Sequence, residues 1–242
     1  MMSPYGEFLV DFERKHGDHT HRNDPGNTKA AIIVETRPLF FLPKVIRNVM
    51  YFLGPDWNLY VLTAGATVEF LHRSLPGWQV PIGRLPEAIL TPIGGLELDT
   101  YTRLLCSPEF WRRFGEDKVL TFQTDTLLTG PRVGEYLGYD YIGAPCQLTQ
   151  KGGCVLNGGL ALRTRQLMLD CLVGARPAPD QPEDAFFTRR VRELGGTVPD
   201  VATAARFSIE SHFVVQPLGV HGTDKFYHSI EMAERIVRAI EY

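Results

Sequence analysis

Lys118-Val-Leu-Thr-Phe-Gln-Thr-Asp125-Thr-Leu-Leu128 is an apolar run interrupted by a single carboxylate. Val119–Phe122 reads as a short buried strand, continuous in hydrophobicity rather than alternating. Asp125 then stands just past the strand end, beside Gln123 and Thr124. The same shape recurs upstream. Ala30–Val34 ends in Glu35-Thr36-Arg37-Pro38, and Asn58–Thr63 ends in Ala64-Gly65. Between these runs Val45, Ile46, Val49 and Phe52 repeat at helical spacing over Pro43–Phe52, and Gly54-Pro55 stops them. Val68–Leu75 reads as a second helix. Continuous strands alternating with helices predict an α/β sandwich with a mostly parallel central sheet. In such sheets ligands sit outside the carboxyl ends of the strands. Glu35–Arg37, Ala64-Gly65 and Gln123–Asp125 are therefore expected on one rim.

Further along, Gln79–Ile82 is expected as an edge strand and Tyr139–Ile142 as another strand. Thr100–Phe114 reads as a helix that Pro108 can break. A glycine-rich turn is expected to lead into a helix over Leu160–Leu172. Asp184–Leu194 reads as a helix with an acidic first turn, which the helix dipole favours. Ala233, Ile236, Val237 and Ile240 place an apolar stripe on a terminal helix. Residues 1–29 read as a polar N-terminal extension in which Phe8, Leu9 and Phe12 make an amphipathic turn or two, outside a single domain over 30–242.

The chain has 242 residues, enough for one sizeable α/β domain, with 44% hydrophobic and 22% charged residues. Its 25 basic and 28 acidic residues give a net charge of −3, without the basic excess of a nucleic-acid binder. Cys106, Cys146, Cys154 and Cys171 lack CxxC spacing and are expected as free thiols in a reducing compartment. Met1–His21 has no apolar core of a secretory leader, and no stretch approaches a membrane span. A cytoplasmic protein is expected, with docking to a membrane surface left open. Oligomeric state is not legible.

Several polar groups can carry chemistry. Asp125, fixed at a strand end, can hold a hard cation such as Mg²⁺ or Mn²⁺ beside a leaving diphosphate; a turn residue is the plain alternative. Asn157-Gly158-Gly159 permits close approach of a sugar or phosphate to the main chain. Glu183 and Asp184 open a helix, where a carboxylate can cap the helix or take a proton from an acceptor hydroxyl. His221, in Gly219-Val-His221-Gly222, can complete a metal site or touch a diphosphate. Arg37 can face a nucleotide while paired with Glu35, and Lys225 can meet a phosphate. Glu210 and His212 can line an acceptor pocket or form a surface pair.

Taken in order, these blocks carry a family resemblance. Val34-Glu-Thr-Arg37, Phe122-Gln-Thr-Asp-Thr-Leu-Leu128, Tyr139-Asp-Tyr-Ile-Gly-Ala-Pro145, Asn157-Gly-Gly-Leu-Ala-Leu-Arg163, Glu183-Asp-Ala-Phe-Phe187 and Gly219-Val-His221 resemble a glycosyltransferase-like family long catalogued as a domain of unknown function. The resemblance implies the GT-A fold, a Rossmann-like α/β/α sandwich that binds nucleotide sugars. It implies that Asp125 matches the second acid of the Asp-x-Asp metal motif, that Asp184 matches the base of inverting members, and that His221 matches a late metal-ligating histidine. Gln123 stands where the first acid of Asp-x-Asp would be. Glutamine is a poor ligand for a hard cation, so Mn²⁺ or Mg²⁺ is expected to bind weakly or to be dispensable.

The expected activity is transfer of a sugar from a nucleoside diphosphate donor, a UDP-sugar being favoured, to a hydroxyl of a glycan or glycolipid. Glu35, Thr36, Arg37, Gln123, Thr124, Asp125, Asn157, Gly158 and Gly159 would bind the donor. Asp125 and His221 would hold the cation, and Asp184 would be the base of an inverting displacement, with Glu183 orienting acceptor or sugar. Two other classes remain open: a degenerate transferase that binds a nucleotide sugar or glycan without turnover, and an interaction domain that docks through its N-terminal extension.

Overall fold

A computed structural model describes residues 2–91, 94–148, 154–223 and 228–240. The central sheet has six strands: β1 (Lys29–Val34), β2 (Trp57–Thr63), β3 (Ile82–Arg84), β4 (Lys118–Phe122), β6 (Tyr141–Leu148) and β7 (Cys154–Thr164), in the order β3-β2-β1-β4-β7-β6. β1 pairs in parallel with both β2 and β4, and β7 runs antiparallel to β4 and to β6. A second, three-stranded sheet orders β5 (Thr126–Leu128), β9 (Gly219–His221) and β8 (Ser208–Ile209). The mixed α/β architecture with a mostly parallel sheet is the one expected from the sequence.

β1, β2 and β4 are continuous apolar runs because helices cover both of their faces. α2 (Leu42–Leu53) packs Leu42, Val45, Ile46, Val49 and Met50 into one core layer with Leu59 and Leu120. α5 (Pro108–Arg112) and α7 (Glu183–Glu193) close the other layer through Phe110, Trp111, Phe186 and Phe187. α3 (Gly65–Ser74) connects β2 to its parallel neighbour β3.

The structure redraws several elements. The expected helix over Leu160–Leu172 is mostly strand: β7 runs to Thr164, and only Arg165–Cys171 turns helical, as α6. Leu160, Ala161 and Leu162 are all buried, so the run shows no alternation, and periodicity alone cannot separate such a strand from a buried helix. Asn157-Gly158-Gly159 lies inside this strand, not in a turn. The edge strand moves from Gln79–Ile82 to Ile82–Arg84, leaving Gln79 in a lone bridge to Arg22. The helix over Thr100–Phe114 is two helices, α4 (Leu98–Leu105) and α5, with Pro108 in the first turn of the second.

The N-terminal segment is no extension. Ser3 caps α1 (Pro4–His16), and Tyr5, Phe8, Leu9 and Phe12 are buried in the same core layer as α2. α1 also packs on α9 (Ile230–Arg238), and Tyr5 Oη lies 2.8 Å from His228 Nδ1. Phe12 is fully buried against Tyr51 and Phe52. Phe12→Ala is therefore expected to cost about 3–5 kcal/mol in denaturant unfolding. A chain starting at Thr28 should fail to give a cooperative melt. Intact folding of that truncation would return the segment to a separable docking role.

Candidate active site

Two strand ends and a crossing strand meet at the carboxyl edge of the large sheet. Glu35–Arg37 leave β1 and Gln123–Asp125 leave β4. With Leu96, Leu98 and Tyr101 they line a cleft of about 270 Å³. Glu35 organises this rim. Its carboxylate accepts from the Arg37 backbone N–H, from Arg37 Nε and from an Arg37 terminal nitrogen, each at 2.9 Å, and from the Thr124 hydroxyl at 3.2 Å. Arg37 is thus held in a fork with about half of its side chain open to solvent. Thr36 is buried, and its hydroxyl has no partner among the described residues although it borders the cleft. A buried hydroxyl without a partner is costly, and a ligand in the cleft would relieve it.

His221, on β9, is the centre of a second group. Its Nε2 lies 3.4 Å from Asp125 Oδ1 and 3.2 Å from Gln123 Oε1, and its Nδ1 lies 3.5 Å from Glu210 Oε1. Burial opposes charge on this ring, but the side-chain contacts to Asp125 and then Glu210 outweigh it and lift the pKa to about 9. The ligand-free chain therefore carries an imidazolium here at neutral pH. Asn157 ties this group to β7: its amide donates to Glu210 at 3.3 Å, and its oxygen accepts from the Gly159 N–H at 2.7 Å.

The two glycines serve close packing. A Cβ on Gly159 would stand 2.0 Å from His221 Nε2, and one on Gly158 would stand 2.0 Å from Glu183 Oε1. His221 is 2% exposed with a carboxylate on either side, so it has nowhere to retreat. Gly159→Ala should cost about 1–3 kcal/mol and displace the imidazole, weakening any ligand held there. Denaturant melts and calorimetry check this, with Gly65→Ala, where nothing lies within 4 Å, as the control. Unchanged ligand binding in Gly159→Ala would detach His221 from the site.

Asp184 and Glu183 open α7 and face different ways. Glu183 is buried in a two-point ion pair with Arg163 at 3.0 and 3.1 Å. Asp184 Oδ1 accepts the Ala185 N–H at 2.6 Å. Burial first, then the charge of Glu183, raise the Asp184 pKa to about 6. Tyr101, a wall of the cleft, hydrogen-bonds Gln123, and burial followed by the Glu183 charge holds its hydroxyl above its usual range.

The structure thus brings Glu35, Thr36, Arg37, Gln123, Thr124 and Asp125 to one rim, and His221, Asn157 and Gly159 against Asp125 and Gln123. Asp184 and Glu183 are not among the residues that line the cleft, and Glu183 is paired with Arg163. His212 faces the Pro145 carbonyl at 3.0 Å and does not join Glu210. Lys225 lies outside the described residues. Sequence reasoning gave no role to Tyr101 or Arg163 and had Glu210 as an acceptor-pocket or surface residue. The one local signal for Arg163 was a lone arginine ending an apolar run.

Asp125 Oδ1 and Gln123 Oε1 can accept a positive charge, at present that of the His221 ring, and His221 Nε2 can join them as a ligand only by giving up its proton to the incoming cation. Among the described residues no three His, Cys, Asp or Glu side chains are grouped to hold an ion by themselves. Mg²⁺-type ions are commonly held by one or two protein donors together with substrate phosphates. The residues present fit an ion that arrives with a diphosphate.

Residues 85–221 match the family described as Protein of unknown function (DUF5672). No protein of curated function matches the sequence. Among solved structures, the apo-form glycosyltransferase GlyE of Streptococcus pneumoniae TIGR4 is similar with a TM-score of 0.50 at 15% identity, over 84% of this chain and 55% of that one. This chain therefore spans little more than half of GlyE. Mouse xyloside xylosyltransferase 1 is similar with a TM-score of 0.54 at 10% identity, over 84% of this chain and 98% of that one. The inositol-1-phosphate CTP transferase of T. maritima is similar with a TM-score of 0.51 at 9% identity, over 90% of this chain and 99% of that one. At these identities the likeness is one of fold, the GT-A arrangement shared by glycosyltransferases and nucleotidyltransferases. No helix among the described residues is long and apolar enough to cross a membrane.

Proposed function

Because the chain belongs to the family described as Protein of unknown function (DUF5672) and has the GT-A fold, we propose that it is a glycosyltransferase moving a sugar from a nucleoside diphosphate, most simply UDP, to a hydroxyl of a glycan or glycolipid. The observation that carries this reading is the convergence of the β1 and β4 ends on one cleft, with His221 locked between Asp125 and Glu210 beside it. Arg37 presents a fixed cation to the nucleotide, and Thr36 supplies an unused hydroxyl. Asn157, Gly158 and Gly159 floor the sugar side.

Asp125 and His221 would hold Mn²⁺ or Mg²⁺ together with the diphosphate, and the ion would neutralise the leaving group. The chain's own contribution begins with the acceptor. Asp184 takes the proton from the attacking hydroxyl as the oxygen closes on the anomeric carbon, and the diphosphate leaves from the opposite face. A carboxylate with a pKa near 6 is matched to this task at neutral pH. Nucleotidyl transfer to a phosphate would need no such base, so Asp184 favours a hydroxyl acceptor. The free thiols of Cys106, Cys154 and Cys171 fit action in a reducing compartment, the cytoplasm, where a membrane-borne acceptor would be met from the surface.

Gln123, in place of an acid, favours a second reading: binding without turnover. Calorimetry with UDP, GDP, CMP, dTDP and CTP, with and without Mn²⁺, tests both. We expect one diphosphate to bind, more tightly with Mn²⁺, and the Mn²⁺ effect to vanish in Asp125→Ala. Binding without donor hydrolysis or transfer would select the second reading. No nucleotide binding under any condition would overturn both.

A further inference from the structure

Arg163 is fully buried on β7. Its guanidinium grips both oxygens of Glu183 and sits among Tyr141, Phe187 and Trp111, with ring centroids at 4.9, 5.5 and 5.7 Å. A buried ion pair is a poor source of stability, because apolar residues of the same volume serve as well or better. Its place in the fold supplies another reason. Glu183 is the first residue of α7, and the preceding Pro182 gives the helix no side-chain cap. The helix start is instead pinned through Glu183 to β7. Glu183 is packed directly against Gly158, where even a methyl group would collide with Oε1. Asp184 is the next residue, and its carboxylate also accepts a backbone hydrogen bond from Gly158.

We propose that Arg163 and Glu183 are a positioning pair for Asp184: Arg163 anchors Glu183, and the anchored Glu183 fixes where the Asp184 carboxylate stands and which charges it faces. This deepens the reading of Asp184 as the acceptor base and rests on it. The groups facing Asp184 are Glu183 on its own helix, Arg163 from β7, Tyr101 from α4, Tyr141 from β6, and the N–H groups of Ala185 and Gly158. Glu183 acts on Asp184 more strongly than Arg163 does, in the opposite direction.

The test is a carbon-13 NMR titration of the Asp184 carboxyl, assigned by its loss in Asp184→Asn, alongside kcat. In Glu183→Gln the Asp184 midpoint should fall by about one pH unit. In Arg163→Lys, which keeps the charge but not the fork, the midpoint should stay near that of the parent while kcat falls about tenfold or more. If Glu183→Gln does not fold, Arg163→Met/Glu183→Gln, which buries no lone charge, supplies the measurement, again with a lowered midpoint. An unmoved midpoint in a folded Glu183 variant, or unchanged kcat in Arg163→Lys, overturns the pair. Wild-type protein that transfers no sugar from any donor overturns the transferase reading instead, and the NMR midpoints still judge the pair by themselves.

Discussion

Asp184→Asn lowers kcat by about 10²–10⁴ while leaving nucleotide binding intact. Asparagine keeps the shape and still accepts the Ala185 N–H, but it cannot take a proton. Donor affinity should hold because the nucleotide contacts lie on the Glu35–Arg37 and Gln123–Asp125 rim. The pH dependence has a definite sign. Burial and the Glu183 charge raise the carboxyl from 3.8 to about 6, and in the proposed mechanism the ionised form is the active one. Wild-type kcat therefore drops as pH falls through about 6, and the variant's residual rate shows no such limb. Stability moves the other way. A carboxyl whose folded pKa is raised stabilises the fold below its unfolded value and loses that contribution as pH rises through about 6. At neutral pH the ionised Asp184 is a strained charge, so Asp184→Asn should melt higher than wild type. Near-normal turnover in the variant would remove Asp184 from the chemistry.

Arg163→Met is the expected large stability loss. It leaves Glu183 buried without its partner, and breaking such a pair costs about 3–5 kcal/mol. Small domains have only about 5–15 kcal/mol in total. Arg163→Met/Glu183→Gln should recover most of the loss, because neither residue then buries a lone charge. Urea unfolding of the two variants measures the difference. Equal destabilisation in single and double variants would mean that lost packing against Tyr141, Phe187 and Trp111 is responsible, not the uncompensated carboxylate.

The rim was legible because two local signals coincide there. β1 and β4 are unbroken apolar runs, and each ends on a polar triplet, Glu35-Thr36-Arg37 or Gln123-Thr124-Asp125. A buried parallel strand leaves that trace in sequence, and so the mostly parallel sheet could be drawn. β7 left a false trace. Covered on both faces, its Leu160-Ala161-Leu162 run looked like the start of a helix. α1 was hidden by its polar face: Tyr5, Phe8, Leu9 and Phe12 lie among charged neighbours that face solvent. Of the partners of His221, Asp125 was expected from the family resemblance, whereas Gln123 and Glu210 were not. Gln123 is 98 positions away, and only the pairing of β5 with β9 brings the two together. Glycines 158 and 159 were read as sites where a sugar or phosphate comes close to the main chain; within the chain, what approaches them is Glu183 and His221.

The hydrogen bond between Tyr5 and His228 spans 223 positions and joins the first described helix to the segment before the last. On a ribosome this has a temporal meaning. The early strands can pair as they emerge, but the apolar stripe of α1 has no α9 to rest on, and Asp125 has no His221, until His221 and α9 have themselves left the exit tunnel. The nascent protein thus holds a half-built sheet with an open pocket and a sticky leading helix. That interval is when holdase chaperones would engage it, and premature termination anywhere before His221 is expected to yield an aggregation-prone product rather than a weakened fold.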